Sequence, residues 1–227
     1  MNSSNITKII EQETIHIINT ISENNKNIIT LLDKQNEETL MKIMSVDGYI
    51  LRYLMNPKEN ICIASVKQNG RALQYIKNRT YAINKYAIEQ DGNAIQYIDI
   101  DEQTPEICEI AINQNAFAIA HIHNQTDKIN KLAITKNYET LQYIREQTNE
   151  LCDLAIKQNG LAIQYIKNPT YKQYYKAYKK DSFAKKYIPN DIYEKIIKKI
   201  NTKKKYIQYI QLSSFIISSI ITIIHHL

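Results

Sequence analysis

Residues 148–166 read TNELCDLAIKQNGLAIQYI, and the same pattern of side chains recurs before and after them. The glycine position falls at Gly48, Gly70 and Gly92, then at Ala116, Tyr138 and Gly160. The aromatic position falls at Tyr53, Tyr75, Tyr97, His121, Tyr143, Tyr165 and Tyr187. The step is 22 residues except across 99–103, where two residues are added. A fixed period of this length marks a repeat protein, in which each unit completes its core against its neighbours. It speaks to architecture and leaves function open.

Working outward from that stretch, Thr148 has counterparts at Thr14, Asn36, Thr80, Thr104, Thr126 and Thr170, with Lys58 the exception. These positions read as helix N-caps, because a Thr or Asn side chain accepts an otherwise unpaired backbone N–H. Pro105 follows Thr104 at the first helical position, where a missing donor costs nothing. Eleven residues after each cap comes Asp47, Asn69, Asp91, Asn115, Asn137 or Asn159. A glycine usually follows and is expected to take positive φ and close the helix. The first helix of a unit is then about ten residues long, with an apolar stripe such as Leu151, Cys152, Ala155 and Ile156. The segment after the glycine, as at 161–166, could be a short strand, but Ala162, Ile163 and Ile166 repeat at three and four and Ala favours helix. It reads as a second, shorter helix.

A chain of 227 residues with 44% hydrophobic content can bury a sizeable core, and only 4 Gly, 4 Pro and no Trp argue against a turn-rich all-β protein. Its wealth of Ile, Asn, Lys and Tyr fits an A+T-rich coding sequence. The net charge of +6 is unevenly placed. Residues 171–206 hold twelve Lys against Asp181, Asp191 and Glu194, an excess of nine, so the rest of the chain is mildly acidic. Cys62, Cys108 and Cys152 occupy one repeat position, filled elsewhere by Asn84 and Asn130. Stacked units would hold them roughly 20 Å apart, beyond disulfide reach, so they read as reduced, half-buried residues of a reducing compartment. No apolar run follows a positive start at the N-terminus, so no secretory signal is expected, and the sequons at Asn2, Asn5, Asn78 and Asn124 are incidental.

Residues 190–205 read as a Lys-rich amphipathic helix with Ile192, Ile196, Ile197 and Ile200 at helical spacing. Residues 206–227 carry no formal charge. Their apolar run of Phe215, Ile216, Ile217, Ile220, Ile221, Ile223 and Ile224, behind a basic flank of Lys198, Lys199, Lys203, Lys204 and Lys205, has the layout of a tail anchor, a transmembrane helix of about 20 residues. Gln211, Ser214, Ser218, Thr222 and His225 share one helical face, which suits helix packing in a membrane and equally an amphipathic helix covering the end of the repeats. The Lys and Tyr run invites a second function, nucleic-acid binding. Tyr171, Tyr175 and Tyr178 form one stripe beside Lys172, Lys176 and Lys179, as stacking rings beside phosphate-binding charges would. The plainer readings are half-buried core Tyr and a solvated or membrane-facing Lys face.

No Ser-His-Asp pattern, phosphate-cradling glycine loop or HExxH occurs. His121 and His123 are two apart and point to different sides of a helix, a poor chelating pair. No enzyme, metal, cofactor or small-molecule substrate is therefore expected.

The unit LAIKQNGLAIQYIKNPT, with IASVKQNGRALQYIKNRT and INQNAFAIAHIHNQT, resembles the short helical repeat of a family of unknown function abundant in giant viruses of amoebae. The resemblance covers about residues 36–188 and departs from the pattern at Ala116, Tyr138 and Ser182. It implies a helical repeat fold and a viral origin, and supplies no activity or site residues.

The expected architecture is an all-α solenoid of about eight short two-helix repeats. Its parts are a lead-in over 1–13, repeats over 14–189, a basic amphipathic helix over 190–205 and a hydrophobic helix over 206–227. The expected function is a non-enzymatic scaffold for an unknown protein partner, tethered by the tail to the cytoplasmic face of a host membrane, or soluble in the cytoplasm if the tail is a cap. Arg71, Asn93 and Leu161, each following the glycine position, vary between units while their neighbours stay fixed, which marks them as candidate partner-binding residues.

Overall fold

The structure, a computed structural model, describes residue 12 and residues 28–225 of the chain, with side chains as far as 214. The lead-in and the first cap position, Thr14, lie outside the described residues. Among the described residues every regular element is helical, in the repeated arrangement of an all-α solenoid. The α-helices are α1 (Ile28–Asp33), α2 (Glu37–Val46), α3 (Glu59–Gln68), α4 (Tyr81–Gln90), α5 (Pro105–Gln114), α6 (Asp127–Lys136), α7 (Asn149–Gln158), α8 (Tyr171–Lys180) and α9 (Asn190–His225). Each of α2 to α8 is 10 residues long, as the spacing of caps and Asx residues requires.

The caps form as their chemistry dictates. Asn36, Thr80, Thr104, Thr126, Thr148 and Thr170 each accept a backbone N–H three residues on, and Lys58 offers no side-chain cap. At Thr170 the exchange is reciprocal: Gln173 Oε1 accepts the Thr170 N–H at 2.8 Å, completing a capping box.

The second helix of each unit is not a short α-helix but a six-residue 3₁₀ helix: Gly48–Tyr53, Gly70–Tyr75, Gly92–Tyr97, Ala116–His121, Tyr138–Tyr143, Gly160–Tyr165 and Ser182–Tyr187. The reason lies in which residues are buried. Gly70, Leu73 and Ile76 are buried at a spacing of three, as are Gly92, Ile95 and Ile98. Three residues per turn aligns them on one edge, which 3.6 per turn would not.

The glycines do not take positive φ; among the described residues no glycine does. The α-helix is closed instead by the preceding Asx residue, which adopts an extended conformation, as at Asn69 with φ −146° and ψ 105°. Its own N–H still bonds back into the helix, and its side chain accepts the N–H two residues on, capping the 3₁₀ helix. Glycine is required for a different reason. A Cβ on Gly70 would lie 2.3 Å from the Ala87 carbonyl oxygen of the next repeat, and one on Gly92 2.5 Å from that of Ala111. The close approach lets the next helix serve the glycine amide: Gln68, Gln90 and Gln114 accept from Gly48, Gly70 and Gly92 N–H at 2.8, 2.6 and 2.6 Å.

The chain divides into two compact units, one ending at Glu146 and the other starting at Gln147, within what the sequence presents as one repeat array. In the first, successive α-helices from α2 to α6 pack on one another, and each 3₁₀ helix packs on the next. The two extra residues are taken up around a three-residue 3₁₀ turn, Ile100–Glu102, across which successive helices still pack. In the second unit α7, α8 and their 3₁₀ helices pack in the same way, and α9 packs on α8.

A Gly70→Ala substitution is expected to destabilise the fold by about 1–3 kcal/mol, because its methyl group meets backbone rather than a flexible side chain. Urea unfolding should show a lower midpoint with an unchanged slope.

Candidate interaction surfaces

Two surfaces hold the residues that the sequence marks. The first is the outer edge of the 3₁₀ helices. The backbone N–H of each residue after the glycine position is held by the preceding Asx, as Asn93 is by Asp91 at 2.9 Å and Leu161 by Asn159 at 2.9 Å. Arg71 is exposed, whereas Asn93 and Leu161 are half-buried. Arg71 and Asn93 belong to the first unit and Leu161 to the second.

Arg71 is already engaged. Its Nε donates to Asp91 Oδ2 at 2.9 Å, and this hydrogen bond raises the guanidinium's pKa. The remaining members of the row include residues that the variability argument missed. Tyr49 meets Tyr75 edge-on with ring centroids 6.1 Å apart, and Phe117 meets Tyr143 in the same way at 6.1 Å. Each pair joins the post-glycine residue of one repeat to the aromatic position of the next, 26 residues later. That offset was available in the sequence. Tyr75 and Tyr143 remain exposed, and the Arg52 guanidinium sits 4.6 Å from the Tyr53 ring centre. The edge of the first unit is thus an aromatic row with basic and polar residues between the rings.

Both ends of these 3₁₀ helices are fixed by side-chain amides. Gln68 and Gln114, besides accepting from the glycines, donate to the Val46 and Gln90 carbonyls. Near the other end, Gln103 donates to the Ile98 and His121 carbonyls and accepts from His123 N–H at 2.9 Å. Gln125 repeats the arrangement with Tyr143 O and Arg145 N–H, and in the second unit Gln147 does so with Tyr165 O and Lys167 N–H.

The second surface is α9. Sequence spacing suggested a basic helix and a separate hydrophobic helix; the backbone is one helix from Asn190 to His225. Ile196 is fully buried against the unit, flanked by half-buried Ile192, Tyr193, Ile197 and Ile200. Tyr193 packs edge-on to Tyr178 at 5.3 Å, and Lys199 Nζ lies 5.0 Å from the Tyr175 ring centre and 5.5 Å from that of Tyr171. The three Tyr of the would-be nucleic-acid stripe are therefore engaged by α9, and Lys176 is paired with Asp153 at 2.5 Å. Lys172 and Lys179 of the same stripe are exposed.

Beyond Ile200 the helix leaves the unit. Every residue from Asn201 to Ser214 except Ser213 is exposed, among them Tyr206 (67%), Ile207 (54%), Tyr209 (70%), Ile210 (50%) and Leu212 (55%). The basic flank, Lys198, Lys199, Lys203, Lys204 and Lys205, is exposed with them. Phe215, Ile216, Ile217, Ile220, Ile221, Ile223 and Ile224 lie on the same helical backbone, and their side chains are outside the described residues. Among the described residues no helix is long and apolar enough to cross a membrane.

Cys62, Cys108 and Cys152 are free and buried, more deeply than their half-buried reading. Burial pushes the thiols of Cys62 and Cys108 up to about 11. Among the described residues no group of His, Cys, Asp and Glu could hold a metal ion. No family model, curated protein or solved structure matches the chain.

With the thiol pKa raised, the thiolate is scarce in the fold at pH 8 and abundant only as pH approaches 11. A disulfide-exchange reagent at pH 8 should leave Cys62 and Cys108 unlabelled in the native protein and modify them rapidly in denaturant. Arg71→Ala should leave the urea midpoint nearly unchanged, since the Arg71 side of its ion pair with Asp91 lies in solvent.

Proposed function

We propose that the chain is a non-enzymatic scaffold of helical repeats, held at the cytoplasmic face of a host membrane through α9, with the 3₁₀ edge offered to a protein partner. The observation that carries the membrane part is the far half of α9. A helix that exposes Tyr206, Ile207, Tyr209, Ile210 and Leu212 outside any core is marginal alone in water and needs an apolar partner. Lysines lie directly before it and uncharged residues from 206 onward, a layout suited to a lipid boundary. The partner part is supported in the first unit by Arg71 and Asn93 and by the exposed aromatic pairs on the same edge, and in the second unit by Leu161 at the matching place of its 3₁₀ helix. The repeat pattern's resemblance to the giant-virus family supports a viral setting for such a scaffold.

In flotation of membranes from cells expressing the protein, the full chain should rise with the membranes and a version ending at Lys205 should stay behind. Both remaining soluble would remove the tether. Replacing Arg71, Asn93 and Leu161 together with Ala should release partners cross-linked to the full chain; a partner set left intact would mean that another face is used.

A further inference from the structure

The far half of α9 carries Tyr209 and Leu212 on the side away from the one on which its near half packs. The near half faces its own unit through Ile196, with Tyr193, Ile197 and Ile200 beside it. Two turns of helix bring a residue back to nearly the same side, with a drift of about 20° per seven residues. Followed in this way, the packed face becomes mixed: the row of Ile196 continues to Lys203 and Ile210, that of Ile197 to Lys204 and Gln211, and that of Ile200 to Ile207 and Ser214. The far side turns from charged to apolar. The row of Lys198 continues to Lys205 and Leu212, and that of Lys195 to Thr202 and Tyr209. Each of these residues is exposed.

A helix that crosses a bilayer alone is apolar all round, whereas this one sets Gln208, Gln211 and Ser214 against Tyr206, Tyr209 and Leu212. One strongly polar side and one apolar side with adjoining lysines is the pattern of a helix lying in the lipid interface. Its charge excess selects the lipid. Residues 171–206 carry nine more lysines than carboxylates, which complements an anionic surface and gains little from a zwitterionic one.

On the membrane reading above, we propose that α9 lies in the plane of an anionic lipid surface. Tyr209 and Leu212 enter the acyl boundary, Lys198 and Lys205 meet the headgroups, and the opposite face of the near half remains packed on α8. The helix is thereby a two-sided plate, with the repeat unit on one side and the bilayer on the other.

The test is vesicle binding by the full chain. Vesicles of phosphatidylcholine mixed with phosphatidylserine should bind it at least about tenfold more tightly than phosphatidylcholine alone, and added salt should erase the difference. Lys205→Gln should weaken binding more than Lys204→Gln, because Lys204 follows the packed face; equal losses overturn the assignment of faces. The chain has no Trp, so a single Trp replacing Leu212 or Ile220 reports its own depth against brominated lipids. Equal, shallow quenching at both positions is expected. Quenching that deepens from 212 to 220 means a spanning helix and overturns the proposal while leaving the tether intact. Binding to no vesicle overturns the tether as well.

Discussion

The fold depends on side-chain amides that finish the hydrogen bonding of a neighbour's backbone. A six-residue 3₁₀ helix has almost no interior, so most of its N–H and C=O groups sit at ends that need outside partners. Gln68, Gln90 and Gln114 serve the glycine end from the following repeat, while Gln103 and Gln125 join the far ends of two successive repeats. Removing Gln68, Gln90 or Gln114 would leave a buried glycine N–H unpaired, a heavier cost than the bond itself returns. Each repeat is therefore completed only when the next is in place. The nearest-neighbour coupling of a solenoid arises here from hydrogen bonds as well as from apolar burial.

The close approach of successive repeats accounts for the glycines. Gln90 reaches the Gly70 amide because the helix carrying it approaches to a distance at which a Cβ would overlap the Ala87 carbonyl. Where the row holds Ala116, the matching residue of the next repeat is Lys136, whose Nζ reaches the Asn113 carbonyl at 3.4 Å. Gly160 keeps the close approach, with a Cβ lying 2.4 Å from the Ala177 carbonyl oxygen, although Lys180 stands at the glutamine's place. The close approach therefore demands the glycine by itself, and the glutamine, where present, adds the amide contact.

Much of this was legible in the sequence and some was not, for identifiable reasons. The period, the ten-residue helices and their Thr caps follow from local chemistry, in which a residue's partner lies three or four positions away. The 3₁₀ geometry was hidden because six residues hold too little of either period to separate three from 3.6. The glycines were assigned to positive φ because a left-handed turn and a close contact both demand glycine, and the choice between them rests on an atom 17 residues away in sequence. The glutamines recur at a fixed place, but their partners lie about 20 residues off. At the interaction surfaces, the exposed row of lysines and the apolar run of α9 were visible as composition. That Tyr209 and Leu212 lie away from the packed side emerges only once Ile196 is known to be buried.

The 3₁₀ turn Ile100–Glu102 shows where the array tolerates a change of length. Two added residues sit in the linker, with Ile100 58% exposed, and Gln103 keeps both its carbonyl and its amide partners beyond them. The couplings that hold the repeats together run between fixed places inside the 22-residue block, so padding between blocks does not disturb them. A gene coding for such a chain can gain or lose whole blocks by unequal recombination, and acquire small insertions at the joints, with the product still able to stack. Length, in this architecture, is the property most open to evolutionary drift.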